Sequence, residues 1–317
     1  MEITVTGANA LTYPVLNIWN WAVAVYLFLV GTAAGLLVMI TVAFLRNRNA
    51  STGQRNDIQK AAGFAPLLLL LGVLTILLEL EGRRNFYWLF LSFSPSSVMF
   101  WGGWGLWLTF ISAIFFALSL MTEDVRERYK FNRLKGLSLR LSALSRILAG
   151  ICCILGILIG LYTGVSLLFP VRPLWDSTAA PLLFLLSSMT TGAALFLILS
   201  RDKPTRLFFA RALAWMIGAE IAAIPLYYVG QLTSSPAKRE AMLPFLSFTN
   251  YFMISFVLVG ICVPLALVLS FLQVNEKRGE ISGASIPRMR LGAYLVLAGG
   301  LVLRIGWVYL GQMARLP

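Results

Sequence analysis

Four charged side chains at the end of an apolar run are the part of this 317-residue sequence whose types and spacing could do chemistry. The stretch from Pro66 to Arg84 reads PLLLLLGVLTILLELEGRR. Its first 13 residues hold no polar side chain except Thr75, and it closes on Glu79, Glu81, Arg83 and Arg84. Residues three or four apart share a helix face, so Glu79 can meet Arg83 and Glu81 can meet Arg84. A carboxylate left alone at the edge of hydrocarbon would protonate, whereas one that faces an arginine can stay charged or exchange a proton as its surroundings change. The chemistry implied is proton handling, with Glu79 or Glu81 as the exchanging group and Arg83 holding it charged. The same residues also suit a plain helix terminus in the headgroup zone, and both readings stand on the sequence.

What the sequence lacks narrows the chemistry further. It contains no histidine, so a haem b held through helix histidines is not expected, and the commonest proton shuttle and transition-metal ligand is missing. Cys152, Cys153 and Cys262 lie inside apolar segments without paired spacing, and read as small core residues rather than a metal site. No metal is expected in this protein. A redox role would rest on a diffusible carrier or on a partner's centres.

The elements that must position these groups follow from composition. Hydrophobic residues make up 59% of the sequence and charged residues 12%, far outside the soluble average. The expectation is an all-α integral membrane protein. A net charge of +13 does not call for nucleic acid, because the basic residues fall between apolar runs, where they set orientation. The first 14 residues carry no basic side chain before the first run and do not resemble a cleaved signal peptide.

Eight segments of spanning length are expected at roughly 18–45, 61–80, 98–121, 142–168, 181–200, 207–230, 247–272 and 289–312. Counting Arg146, Arg211 and Arg290 in the adjoining first turns, the connections after the odd-numbered segments hold 4, 7, 4 and 4 Lys plus Arg, whereas those after segments two, four and six hold 2, 1 and 2. The positive-inside rule then puts the basic connections in the cytoplasm and both termini on the periplasmic side. The longest basic connection, Thr122 to Arg146, reads as a cytoplasmic amphipathic helix.

Other candidates sit on these segments. Trp19, Asn20 and Trp21 open the first; the two tryptophans suit an interfacial belt or, for Trp19, contact with a ligand. Gly31 and Gly35 share a face with Asn20, and close helix packing is their default role. Tyr162 lies about two turns from the outer end of the fourth segment, where its hydroxyl needs a partner. Aligning Gly192 with Gly35 sets FLLSSMTTG beside LFLVGTAAG at an offset of 157 residues, which suggests two four-helix halves, 1–170 and 171–317, related by a parallel repeat. Glu220 and Arg304 fall inside the sixth and eighth segments, as an ion pair or as part of a proton route. The orientation brings Asn20, Glu79 to Arg84 and Tyr162 to one level near the outer interface. An amide, a carboxylate, an arginine and a phenol among apolar walls are the groups a quinone site needs.

Several blocks also carry a family resemblance: Trp21 with YLFLVGTAAG, EGRRNFYWLF followed by Ser96–Trp104, GLYTGVSLL with Pro173–Leu174–Trp175, PLLFLLSSMTTGAA and GGLVLRIGWVYLGQ. In order and spacing they resemble the NrfD-like proteins, the polysulfide-reductase membrane-subunit family, over essentially the whole sequence. The resemblance implies an eight-helix, haem-free, quinone-reactive subunit of a bacterial inner-membrane respiratory complex. It also implies docking to a ferredoxin-type iron–sulfur subunit, joined to a molybdopterin or multihaem catalytic subunit, and for some members coupling to proton movement. Asn20 and Tyr162 match positions implied to line the quinone pocket. Where the family commonly has Asp–Leu–Gly–Arg–Pro, this protein reads Leu80–Glu81–Gly82–Arg83–Arg84, so the acidic role shifts to Glu79 or Glu81.

The expected function is therefore oxidation or reduction of menaquinone or ubiquinone within the lipid bilayer, with electrons exchanged with the iron–sulfur partner. Asn20, Trp19, Tyr162 and Arg83 would bind the head, and Glu79 or Glu81 would move protons. Two rivals remain: a secondary transporter, suggested by the half-repeat, Glu220 and the in-segment Pro225 and Pro264, and a passive anchor of an oxidoreductase complex.

Overall fold

The computed structural model describes residues 19–46, 51–79, 86–91, 93–123, 125, 135–168, 172–236, 238–239, 241–242, 256–278 and 285–313. Glu81, Arg83 and Arg84 lie outside the described residues. All regular structure among the described residues is helical: α1 (Trp21–Arg46), α2 (Thr52–Glu79), α3 (Trp88–Leu91), α4 (Val98–Ser119), α5 (Lys135–Ala143), α6 (Ser145–Val165), α7 (Ala179–Leu199), α8 (Lys203–Ser234), α9 (Val263–Arg278) and α10 (Ile286–Met313). Among the described residues, eight helices are long and apolar enough to cross a membrane: α1, α2, α4, α6, α7, α8, a seventh spanning Phe256–Asn275, and α10. Hydrocarbon offers the backbone no water, so only a fully hydrogen-bonded helix can carry such runs.

The helix ends depart from the apolar runs where polar residues add their own contacts. α2 starts at Thr52 rather than near 61, because Asp57 anchors the extra turns. Its Oδ2 accepts from Ser200 Oγ (2.9 Å) and from the backbone N–H groups of Arg201 (2.7 Å) and Asp202 (2.9 Å), tying α2 to the turn between α7 and α8. Asp202 in turn caps α8 by accepting from Thr205 N–H (3.1 Å), and Pro204 follows in the first turn. Of the stretch expected as an amphipathic helix, Lys135–Ala143 is a described helix, α5, which buries Ser138 and exposes Leu137 and Leu139, with Ser138 Oγ donating to Leu118 O (2.9 Å). The seventh span opens with a π turn, Phe256–Cys262, directly before Pro264, which lacks the N–H that an α-helix would need there. Cys152 is a buried core residue, but Cys262 faces outward and is not one.

α1 and α7 form the centre. α1 packs on α2, α6, α7 and α10, and α7 also packs on α6, α8 and α10. Their sequences explain the position: Gly31, Ala33, Ala34 and Gly35 on one helix and Ser187, Ser188, Thr191 and Gly192 on the other are all buried. Small side chains let two backbones touch where lipid supplies no hydrophobic drive to associate. A Cβ on Gly35 would overlap the Ser188 carbonyl, and one on Gly192 would overlap the Gly35 backbone. The two glycines that align between the halves of the sequence thus meet each other. α2 and α4 turn leucines and aromatics outward and form the rim.

Candidate functional site

The end of the bundle at which α1 begins, called the outer end after the orientation expected from the charge pattern, is built from short-range contacts. Asn20 is the N-cap of α1: its Oδ1 accepts from Ala22 N–H (2.8 Å). Gln312, near the end of α10, grips the preceding residue from both sides, accepting from Trp19 N–H (2.9 Å) and donating to Trp19 O (2.7 Å). With its backbone held, the Trp19 ring stacks on Trp175 at 5.0 Å between centroids. Glu79, the last residue of α2, accepts from Asn20 N–H (3.1 Å). Its carboxylate therefore sits at the N-terminus of α1, where exposed N–H groups and the helix dipole favour negative charge. The expected Glu79–Arg83 contact lies outside the described residues, as do the positions of Glu81 and Arg83.

Tyr162 stands on α6 one turn before its end. Its ring lies flat against α4 at Gly102, where any Cβ would overlap the phenol, so glycine is what makes room for it. Among the described residues its hydroxyl has no hydrogen-bond partner. Tyr26 of α1 stands beside it. Between α1, α2, α4, α6 and the segment carrying α3 lies a cavity of about 800 Å³, within the range of sites that enclose a drug-sized molecule. Its polar groups cluster at the outer end: Trp19, Tyr26, Glu79, Tyr162 and Ser166. The inner part is lined by Leu70 and Val73 of α2 and by Leu106, Trp107 and Phe110 of α4. Glu79 is the only charged side chain on its wall among the described residues. A hydroxyl that needs a partner and a carboxylate at one end of an apolar slot can hold and exchange protons with a ligand whose head is polar and whose remainder is not.

Three of the sequence-derived candidates, Trp19, Glu79 and Tyr162, thus line one cavity. Asn20 does not line it; its side-chain oxygen is used as the cap, and its backbone orients Glu79. Tyr26 escaped the sequence reading although its spacing of seven from Trp19 and three from Val23, another wall residue, was a usable signal. Gly102 and Phe110 carried no comparable signal inside a run of similar residues.

Glu220 and Arg304 sit elsewhere, where α1, α7, α8 and α10 meet. Arg304 is fully buried. Its Nε donates to Leu27 O (3.2 Å), Nη1 to Ser187 Oγ (3.1 Å) and Gly300 O (2.9 Å), and Nη2 to Ser188 Oγ (3.3 Å). Gly31 makes the space: a Cβ there would come within 2.8 Å of Nη2. Glu220 Oε2 accepts from Thr190 Oγ1 (3.1 Å), and its carboxylate also faces Ser187. The two charges form no direct ion pair, and Ser187 lies between them. A buried charge without such partners would cost several kcal/mol, of order 3–5 if one partner were removed. Leu27 joins the two regions: its side chain lines the cavity and its carbonyl accepts from Arg304.

Eight apolar helices among the described residues, four of which enclose a hollow that is polar at one end and aliphatic at the other, define a multi-pass helical membrane protein with a candidate site for an amphipathic ligand. A family model described as polysulphide reductase, NrfD, matches residues 9–314, and the protein belongs to that family. The C subunit of polysulfide reductase from Wolinella succinogenes is 26% identical over 315 residues, a match that takes in 93% of this sequence and 94% of the relative. Protein NrfD from Escherichia coli is also 26% identical over 315 residues, with 93% and 95% covered. A NrfD homolog from Haemophilus influenzae is 24% identical over 266 residues, with 78% and 82% covered.

Proposed function

We propose that this protein is the quinone-reactive membrane subunit of a respiratory oxidoreductase complex in a bacterial inner membrane, with both termini on the periplasmic side. The observation that carries the reading is the Tyr162 hydroxyl, without a partner among the described residues, facing a cavity whose only charged wall residue there is Glu79. A relative whose name makes it one part of a polysulfide reductase supports assembly into such a complex. A ferredoxin-type iron–sulfur subunit, joined to a molybdopterin or multihaem catalytic subunit, is the proposed electron partner.

A bound menaquinone or ubiquinone supplies a two-electron, two-proton couple. The residues of this protein would hold it and move its protons. Tyr162 donates a hydrogen bond toward a head carbonyl, with Tyr26 beside it, and Trp19 walls the ring. Glu79, half-buried at the outer end and oriented by Asn20 N–H, passes protons between the head and the aqueous face. Arg83 and Glu81 belong to the same proposal. Glu220 and Arg304 serve as a structural lock or as part of a proton route toward the other face. The two halves, 1–170 and 171–317, are proposed as parallel repeats, and the contact between Gly35 and Gly192 supports that division.

The test is quinol turnover by the complete complex in native membranes. Glu79→Gln is expected to lower kcat about 10²-fold, the low end of what positioned proton transfer contributes. Tyr162→Phe is expected to raise KM about fivefold, the equivalent of one hydrogen bond of about 1 kcal/mol. Wild-type turnover in both variants removes the assignment.

A further inference from the structure

At the end of the bundle opposite Glu79, Arg206 is covered by its surroundings to 5% exposure. It stands in the first turn of α8, and its Nε and Nη2 both donate to one acceptor, Ser200 O, at 2.9 and 2.6 Å. Among the described residues Nη1 has no hydrogen-bond partner, and no carboxylate forms an ion pair with the guanidinium. A covered arginine held by a single carbonyl is short of acceptors, because its fork carries five N–H donors and a charge that water no longer screens.

The charges around it do not make up the deficit. Arg206 lies in range of Arg290, Asp57, Arg201 and Asp202. Asp57 is turned to the link between α7 and α8, where its Oδ2 accepts from Ser200 Oγ and from the N–H groups of Arg201 and Asp202. Asp202 Oδ2 accepts from Thr205 N–H (3.1 Å) and Thr205 Oγ1 (2.7 Å), and its Oδ1 accepts from Ser51 Oγ (3.5 Å). Arg201 and Arg290 are exposed, so two accessible guanidiniums accompany the covered one. Three cations thus share two carboxylates, and both carboxylates serve other donors. α8 and α10 also begin at this end, and the positive ends of their dipoles favour an anion.

We infer that Arg201, Arg206 and Arg290 form a binding site for a phosphate group. Guanidinium forks match the paired oxygens of phosphate, and this cluster has unused donors and lacks acceptors. It lies where two spanning helices start, the level of lipid headgroups, and basic pockets between spanning helices take anionic headgroups. The phosphate of an anionic phospholipid reaches such a site from the bilayer, and inorganic phosphate reaches it from water. Once bound, the group ties the link between α7 and α8, which carries Arg201, to the start of α10, which carries Arg290. The site is at the other end of the molecule from the cavity and stands independently of the quinone reading.

The experiment follows thermal unfolding of the complete complex, purified in detergent and stripped of lipid, after addition of phosphatidylglycerol, phosphatidylcholine or inorganic phosphate. Saturating phosphatidylglycerol is expected to raise the midpoint of this subunit by about 5 °C. Phosphatidylcholine, whose choline offsets the phosphate charge, should raise it by less than half as much. Arg290→Gln and, independently, Arg201→Gln should each cut the phosphatidylglycerol shift at least twofold, whereas Lys60→Gln, at an exposed base of α2 outside the cluster, should keep it whole. A shift from phosphatidylglycerol alone makes a lipid the source of the phosphate; an equal shift from inorganic phosphate, lost in the same arginine variants, makes free phosphate the source. No shift from either, or a shift kept in full by both arginine variants, overturns the site.

Discussion

Two regions at the same end of the bundle start from similar side chains and reach opposite outcomes. Among α1, α2, α4 and α6, two tyrosines, tryptophans and a carboxylate surround a hollow of about 800 Å³. Against α7, α8 and α10, two tyrosines, tryptophans and an amide surround a plug. There the turn Pro173–Trp175 inserts between the helices, and Trp175 is buried to 1% exposure. Trp175 Nε1 donates to Trp307 O (2.8 Å), and Gly311 leaves the space its indole fills. Tyr227 donates its hydroxyl to Leu174 O, and Gln231 Nε2 donates to Pro173 O (3.1 Å) and Leu174 O (3.1 Å). Trp175, Tyr227 and Gln231 all donate to the protein's own backbone, whereas the buried Trp307 indole N–H has no hydrogen-bond partner among the described residues. In the hollow, Tyr162 finds none among the described residues. A buried hydroxyl whose partner is the backbone holds a fold together, and one that faces empty space is available to a ligand.

That contrast sets out variants in order of expected effect. Trp175→Ala empties the plug, and loss of a fully buried tryptophan typically costs about 3–5 kcal/mol. Thermal unfolding of the purified complex should show this subunit released well below the wild-type midpoint, and a wild-type midpoint would mean the turn does not seal that region. Glu79→Gln belongs to the hollow: the roughly hundredfold loss of turnover should come without a lower midpoint, because its one described partner is a backbone N–H that glutamine can still meet. Gly102→Ala comes next. Its methyl group displaces Tyr162, and overpacking of this kind costs about 1–3 kcal/mol; quinol KM should rise about tenfold while the level of assembled complex stays within about twofold.

The smallest effects discriminate best. Tyr227→Phe removes a hydrogen bond worth about 1 kcal/mol and should lower the unfolding midpoint by a few degrees with turnover intact. Tyr162→Phe should do the reverse, raising KM with the midpoint unmoved. If both variants behave alike, the distinction between hollow and plug fails.

Much of the framework could be read directly from residues. Eight apolar runs announce eight helices because hydrocarbon leaves the backbone no alternative, and the small-residue faces of α1 and α7 foretold close packing. Glu79, Tyr162 and Trp19 were singled out as unusual groups near helix ends, and they line one cavity. What stayed hidden depends on partners distant in sequence. Asn20 looked like a ligand donor, but capping is a local competitor for the same oxygen. Gly102 is ordinary until Tyr162 lies on it. Arg304 was visibly exceptional, yet its serine partners 116 and 117 residues away on α7 could not be chosen in advance. Pro173 to Trp175 lie between the fourth and fifth apolar runs, and only the packing of α8 and α10 makes them a plug.

The most direct measurement of the central claim is photolabelling of the complete complex with an azido-substituted quinone that carries an isoprenoid tail, followed by peptide mapping. Adducts that a natural quinone competes away should fall on the peptides carrying Tyr162 and Val98–Phe110, the walls of the hollow. Competed adducts confined to the peptides of Trp175, Tyr227 and Trp307, or none anywhere on this protein, would contradict it.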